Sequence, residues 1–462
     1  MAGSPSDPTV PVGSGGGEVP LQTFRQRLIA IGHLLSGNFG NAAIMLVSVA
    51  IAARALGPEI YGVMVLVLAY GRTVERVLRF ESWQPLIRFA ALEEGSGDRA
   101  RLGRLYAFGL LLDVCTALIA ALVAYLGAAL LGPLFGLDEA NIQLVAIYSV
   151  ALCVNVTGVP TAALRMAGRF RLLAYSQLAA NIVRIGLAML CAQQDWGIAA
   201  FMIAWTGAQV CGSILFIGLG YSALRALGIP GPFSVRWSGL RSSFPGFLSF
   251  AWSTNLSMTM RTLTQEADAL IVGALAGPAA ASFYYLAKRI GKVAQQVGAQ
   301  VQAVIYPDVA RIWARGLREK FRATVLRTQA ALAAVGIAGL LAAWVLGRWI
   351  IHLGPGASYD AAYPLLLTQL VAVVLTMHAA PSRSALLAMH RPGFVLAAST
   401  IGVVLFLGTC LLAIPVLGAI GANIAHIVLA AFMALVLDVA WLRWSRPQVQ
   451  EEPAELAVAA SR

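Results

Sequence analysis

The chain has 462 residues, 59% hydrophobic and only 12% charged, with a formal net charge of +12. Soluble domains carry roughly 25% charged residues, so a soluble enzyme is excluded. The surplus of arginine and lysine lies in short loops rather than in one patch, which argues against nucleic acid as a partner.

Residues 1–24 are Gly, Pro and Ser rich, lack an apolar core, and read as a disordered cytoplasmic tail rather than a signal peptide. Twelve apolar runs follow, each near the roughly 20 residues that cross a bilayer core. Six of them, at 28–53, 61–80, 105–131, 142–164, 171–191 and 197–220, form an N-lobe over 25–222. A cytoplasmic linker at 223–245 leads to a C-lobe over 246–446, with runs at 246–273, 279–306, 328–351, 361–382, 393–415 and 417–442. Residues 447–462 are a second tail. The expected fold is therefore an all-α polytopic membrane protein.

The cations fall in alternate loops. They include Arg25 and Arg27, then Arg79 to Arg104, Arg165 to Arg171, Arg225 to Arg241, Arg311 to Arg322, Arg391, and finally Arg443 and Arg446. By the positive-inside rule both termini are cytoplasmic. No gap predicted on the outer side is long enough for a catalytic domain, which weighs against a polymerase or ligase.

The two lobes repeat one another. Gly57-Pro58 recurs at Gly277-Pro278, 220 residues on (277 minus 57). Pro160 recurs at Pro381 and Gly197 at Gly418, both 221 residues on. With six spans per unit both copies enter from the same side, so the axis relating them lies along the membrane normal, as in many carriers.

Charges inside the spans are functional candidates because each is costly at membrane depth. Arg72, Glu75, Arg76 and Arg79 share one helix face, as do Arg261, Gln265 and Asp268, with Glu266 beside them. Lys288, Lys292 and Gln295 form a third stripe, flanked by Arg289, Gln296 and Gln300. The offset of 220 maps Arg72 onto Lys292, Asn41 onto Arg261 and Ser48 onto Asp268. Arg72 and Lys292 are then expected to face each other across a cationic cleft suited to an anion. Glu75, Glu266 and Asp268 are the candidates for ion coupling. Structural roles stay open: Arg76 and Arg79 can snorkel to the interface, and Lys288 and Arg289 can pair with Glu266 or Asp268. Arg184 and Asp113 read as an intralobe pair, and His33, His378 and His426 as isolated polar residues in helices.

Other chemistries leave no signal. There is no phosphate-binding loop of the GxxxxGK[ST] type, no CxxC pair among five cysteines, and no metal-binding histidine spacing. No cofactor is expected.

ARALGPEIYG (53–62), DALIVGALAGPAAASFYYLAKRI (268–290) and YPDVARIW (306–313) resemble motifs of bacterial polysaccharide flippases. These form the Wzx-like branch of the multidrug/oligosaccharidyl-lipid/polysaccharide exporter superfamily. The resemblance runs over roughly 25–445. It implies two six-helix lobes in a MATE-like V, with an inner cavity between the first, second, seventh and eighth helices. The implied substrate is an undecaprenyl-pyrophosphate-linked oligosaccharide moved outward by alternating access for capsule, exopolysaccharide or O-antigen. The implied partners are membrane lipids and a polysaccharide polymerase. Twelve spans argue against the lipid II branch, whose members usually carry fourteen. In this reading Arg72, Arg261 and Lys292 hold the pyrophosphate, with Arg76, Lys288 and Arg289 adding positive charge. Asn41, Gln265, Gln295 and Gln296 hydrogen-bond sugar hydroxyls. The alternative on the same fold is an ion-coupled exporter of organic cations, against which the excess of inner-facing cations weighs.

Overall fold

The computed structural model describes residues 24–94, 98–135, 139–237 and 239–445; side chains at 24–35, 253–254, 256–265, 297 and 299–308, with a few isolated others, lie outside that description. Among the described residues there is no strand. The helices are α1 (Phe24–Leu78), α2 (Trp83–Glu94), α3 (Arg99–Leu131), α4 (Glu139–Val154), α5 (Gly158–Met166), α6 (Phe170–Gln193) and α7 (Ile198–Ala226), then α8 (Leu240–Ser243), α9 (Phe247–Ala276), α10 (Pro278–Ala314), α11 (Arg318–Leu353), α12 (Ala362–Ala388), α13 (Pro392–Leu417) and α14 (Ala419–Trp444).

The first two predicted spans are the two arms of α1, which bends at Gly57 (φ 73°, ψ 169°). Gly277, between α9 and α10, has nearly the same backbone (φ 88°, ψ 171°). Only glycine takes this conformation without strain. The proline that follows each begins the next helix, where its missing N–H has no intrahelical partner to lose. The repeat of sequence is thus a repeat of backbone. Gly197 and Gly418 likewise precede α7 and α14, the last helices of the two halves.

One repeated proline acts differently in its two settings. The fourth predicted span is broken into α4 and α5 at residues 155–157, just ahead of Pro160. The backbone N–H of Val159 at the new helix start donates to Asp113 Oδ2 of α3 at 2.9 Å. Pro381 lies inside an unbroken α12.

Nine stretches among the described residues are long and apolar enough to cross a membrane, and the first of these, Ser36–Glu93, covers two predicted spans. The helices α9 and α10 are not among these stretches, and they carry the polar stripes read from the sequence. Outward faces are apolar: Leu130, Leu412 and Val416 are each about four-fifths exposed, as suits contact with lipid tails. The helix α2 is an addition to the predicted elements. Too short to span, it buries Leu86 and Ala90 against its neighbours and lays Arg88 over the Phe250 ring at 4.3 Å.

The halves meet along α1, which packs on both α9 and α10. One continuous apolar core holds Tyr61 and Leu66 from the first half with Tyr284 and Tyr285 from the second. Gly62 lies so close to the Pro278 carbonyl that no side chain fits between them, and a Cβ on Gly273 would strike Leu66. Just past the far end of α1, the Glu81 N–H donates to Asn255 Oδ1 of α9 at 2.5 Å.

Candidate functional site

The second arm of α1 and the facing turns of α9 and α10 bring charges from both halves together. The guanidinium of Arg72 lies 3.4 Å from the Glu266 carboxylate and donates to the Tyr285 hydroxyl at 3.3 Å. Arg289, one turn beyond Tyr285 on α10, donates to that oxygen from Nε at 2.8 Å and from Nη2 at 2.5 Å. A buried phenol therefore accepts from a cation of each half. Lys292 is half-buried and makes no ion pair among the described residues. Its charged neighbours are Arg289, Glu266, Lys288 and Arg72. Glu266 thus stands among four cations, one of which, Lys288, has a carboxylate of its own in Asp268. Of the buried nitrogens of Arg72, Nε faces the Glu266 carboxylate at 3.4 Å, and Nη2 has no hydrogen-bond partner. Such a group holds its charge at a cost unless an anion completes it.

Beside this cluster, within the first half, a polar cavity of about 260 Å³ is bounded by α1, α6 and α7. Asn41, Gln177, Asn181, Arg184 and Gln209 line it, and Arg289 reaches in from the second half. Asn41 donates to Gln177 Oε1 at 3.3 Å and accepts from Asn181. Asn181 Oδ1 accepts from Arg184 at 2.6 Å, and the guanidinium stacks 4.9 Å from the centre of Trp205. Arg184 and Asp113 do not pair, which corrects the sequence expectation. Asp113 instead serves the broken start of α5, where a free backbone N–H needed an acceptor.

The other candidates fall elsewhere. Lys288 does not join Arg72: its ammonium is bound by Asp268 at 2.5 and 2.7 Å. Asp268 is fully buried, and a buried carboxylate requires such partners. Tyr284 donates to it at 2.6 Å, and His426 Nε2 lies 3.0 Å away. His426 is therefore a member of a network, not an isolated residue. The same holds for His378, which lies 2.9 Å from Asp438, a carboxylate that also accepts from Gln329 at 2.8 Å. Arg76 turns outward to Glu81 at 2.8 Å. Arg79 does not snorkel. Largely buried, it binds Glu75 and Thr157 at the α4–α5 break, and Glu75 also accepts from Asn155 at 2.5 Å. Gln295 and Gln296 are half-buried on α10, and Gln296 Oε1 has no partner. The side chains of Arg261 and Gln265 lie outside the described residues.

Tyr285 and the cavity amides Gln177, Asn181 and Gln209 were missed in the sequence, whereas Asn41 was named. Tyr285 stands four residues before Arg289, and Asn181 three before Arg184, both spacings that share a helix face. That pairing of a neutral polar residue with a cation was the available signal.

Two packed helical halves with a polar seam between them define an all-α, polytopic membrane-protein fold. Comparison with known proteins agrees. Residues 51–364 match the polysaccharide biosynthesis protein family, and the chain belongs to that family. Inner membrane protein YghQ of Escherichia coli (strain K12) is 25% identical over 345 residues, covering 74% of this chain and 96% of the relative. The lipid II flippase MurJ in an inward closed conformation superposes with a TM-score of 0.67 at 15% identity, over 89% of each chain. An inward-facing multidrug resistance MATE transporter gives 0.58 at 14% identity, over 92% of this chain and 98% of its own. These likenesses establish the fold.

Proposed function

We propose that the protein is a flippase that carries an undecaprenyl-pyrophosphate-linked oligosaccharide from the cytoplasmic to the outer leaflet of the inner membrane. The observation that carries this reading is the meeting of Arg72 with Glu266 and Tyr285 across the two halves, next to Arg289 and Lys292. Sugar and diphosphate cannot cross hydrocarbon unaided, whereas a polyprenyl tail can stay in lipid between the lobes. The protein need only offer the headgroup a polar chamber open to one side at a time. Lobes at 25–222 and 246–446, joined by a cytoplasmic linker at 223–245, would rock about the seam with both termini in the cytoplasm. Arg72, Lys292 and Arg261 hold the diphosphate in this scheme. Membership of a polysaccharide biosynthesis family supports a glycan cargo, and the surplus of cations at the seam weighs against organic cations.

The test is leaflet-specific. In cells depleted of the protein, the lipid-linked glycan should accumulate where a membrane-impermeant periodate probe cannot reach it. Equal labelling in depleted and replete cells would remove the flippase reading.

A further inference from the structure

The cavity in the first half adjoins the diphosphate cations, sharing Arg289 with them, and has its own chemistry. At about 260 Å³ it is smaller than the roughly 300–1,000 Å³ pockets that hold drug-sized ligands. One sugar ring suits it and a chain does not. Its walls carry Asn41, Gln177, Asn181 and Gln209, and each amide both donates and accepts, as hydroxyl recognition requires.

Arg184 fixes the class of sugar. It is 6% exposed, its Nε has no partner, and the groups its guanidinium bonds are all neutral: Asn181, Gln209 at 3.4 Å and the Met45 sulfur at 3.2 Å. The phenols of Tyr148 and Tyr285 lie near it, and the cations Arg289 and Arg72 lie near it as well. Glu75, which accepts from the cavity-lining Asn155, is already matched by Arg79. A buried guanidinium without a carboxylate is costly, and its planar fork matches a carboxylate with two parallel hydrogen bonds.

We propose that this cavity is a monosaccharide subsite for a carboxylate-bearing sugar, with Arg184 holding the carboxylate and the surrounding amides the hydroxyls. The inference rests on the flippase reading and narrows its cargo to glycans with a uronic-acid-type residue close to the diphosphate.

The full-length purified protein should be titrated with glucuronate, glucose and inorganic pyrophosphate, following tryptophan fluorescence with Trp205→Phe as the control. Glucuronate should bind at least about tenfold more tightly than glucose and simultaneously with pyrophosphate. Arg184→Gln should abolish that preference while leaving pyrophosphate affinity within about twofold, and Arg184→Lys should retain part of it. Equal binding of glucose and glucuronate would overturn the proposal, as would competition between glucuronate and pyrophosphate. Both of those measurements use the unaltered protein, so they decide the matter even if the variants misfold. Loss of pyrophosphate binding with glucuronate binding intact would count against the diphosphate site alone.

Discussion

Replacing Arg72 with alanine is the sharpest perturbation of the seam. The guanidinium sits 3.4 Å from Glu266 and 3.3 Å from the Tyr285 hydroxyl, with a side chain 20% exposed. A unit charge pair at about 4 Å contributes roughly 4 kcal/mol at an effective dielectric near 20. Partial access to water reduces this, leaving about 2–3 kcal/mol toward a bound diphosphate, or roughly a thirty- to 150-fold loss of affinity. Glu266 keeps Lys288, Lys292 and Arg289 as charged neighbours, so the chain should remain folded and inserted. The assay is outward transfer of a fluorescent polyprenyl-diphosphate sugar in proteoliposomes, normalised to reconstituted protein. Arg72→Lys should fall between alanine and wild type, because a compact ammonium keeps the charge but not the forked geometry. Transfer by Arg72→Ala within about twofold of wild type would refute the assignment.

Other consequences can be measured in the same system. Glu266→Gln removes the carboxylate beside Arg72, so pyrophosphate should bind more tightly to the purified protein. Asp268→Ala strands the Lys288 ammonium and should cost about 3–5 kcal/mol, seen as lost membrane abundance. The double change Asp268→Asn with Lys288→Gln should recover much of it; normal abundance in Asp268→Ala would show the pair is not structural. Gly62→Val drives a side chain into the Pro278 carbonyl and should lower the thermal midpoint markedly, whereas Gly186→Ala, where nothing lies within 4 Å, should leave it nearly unchanged. Arg261→Ala should stop polymer export without lowering abundance, and near-normal export would remove that residue from the mechanism.

The repeat was legible because it is written in residues that punctuate helices. Gly57 and Gly277 share an unusual backbone, and each is followed by a proline, so an offset visible in the letters returned as a shared geometry. Hydropathy marked the apolar windows but not where helices stop, since backbone hydrogen bonding carries α10 to Ala314 and starts α11 at Arg318. It also passed over α2, whose apolar face is too narrow for a spanning pattern. Within the site, the cations were legible, and of their partners only the alternatives Glu266 and Asp268 for Lys288 and Arg289. Spacing along one helix says nothing about whether Lys288 meets Asp268 or an open chamber, because that choice is made by packing between helices. Arg184 and Asp113 show the same limit: both were visible as intramembrane charges, yet a broken helix start claimed one and a set of amides the other.

Arg289 springs from one half of the molecule and closes a hollow in the other. In the proposed cycle the halves would tilt apart, and that hollow would lose a wall and a positive charge in the same stroke. Grip on the headgroup would then be a property of the approach of two bodies, and letting go would need no trigger beyond the tilt itself.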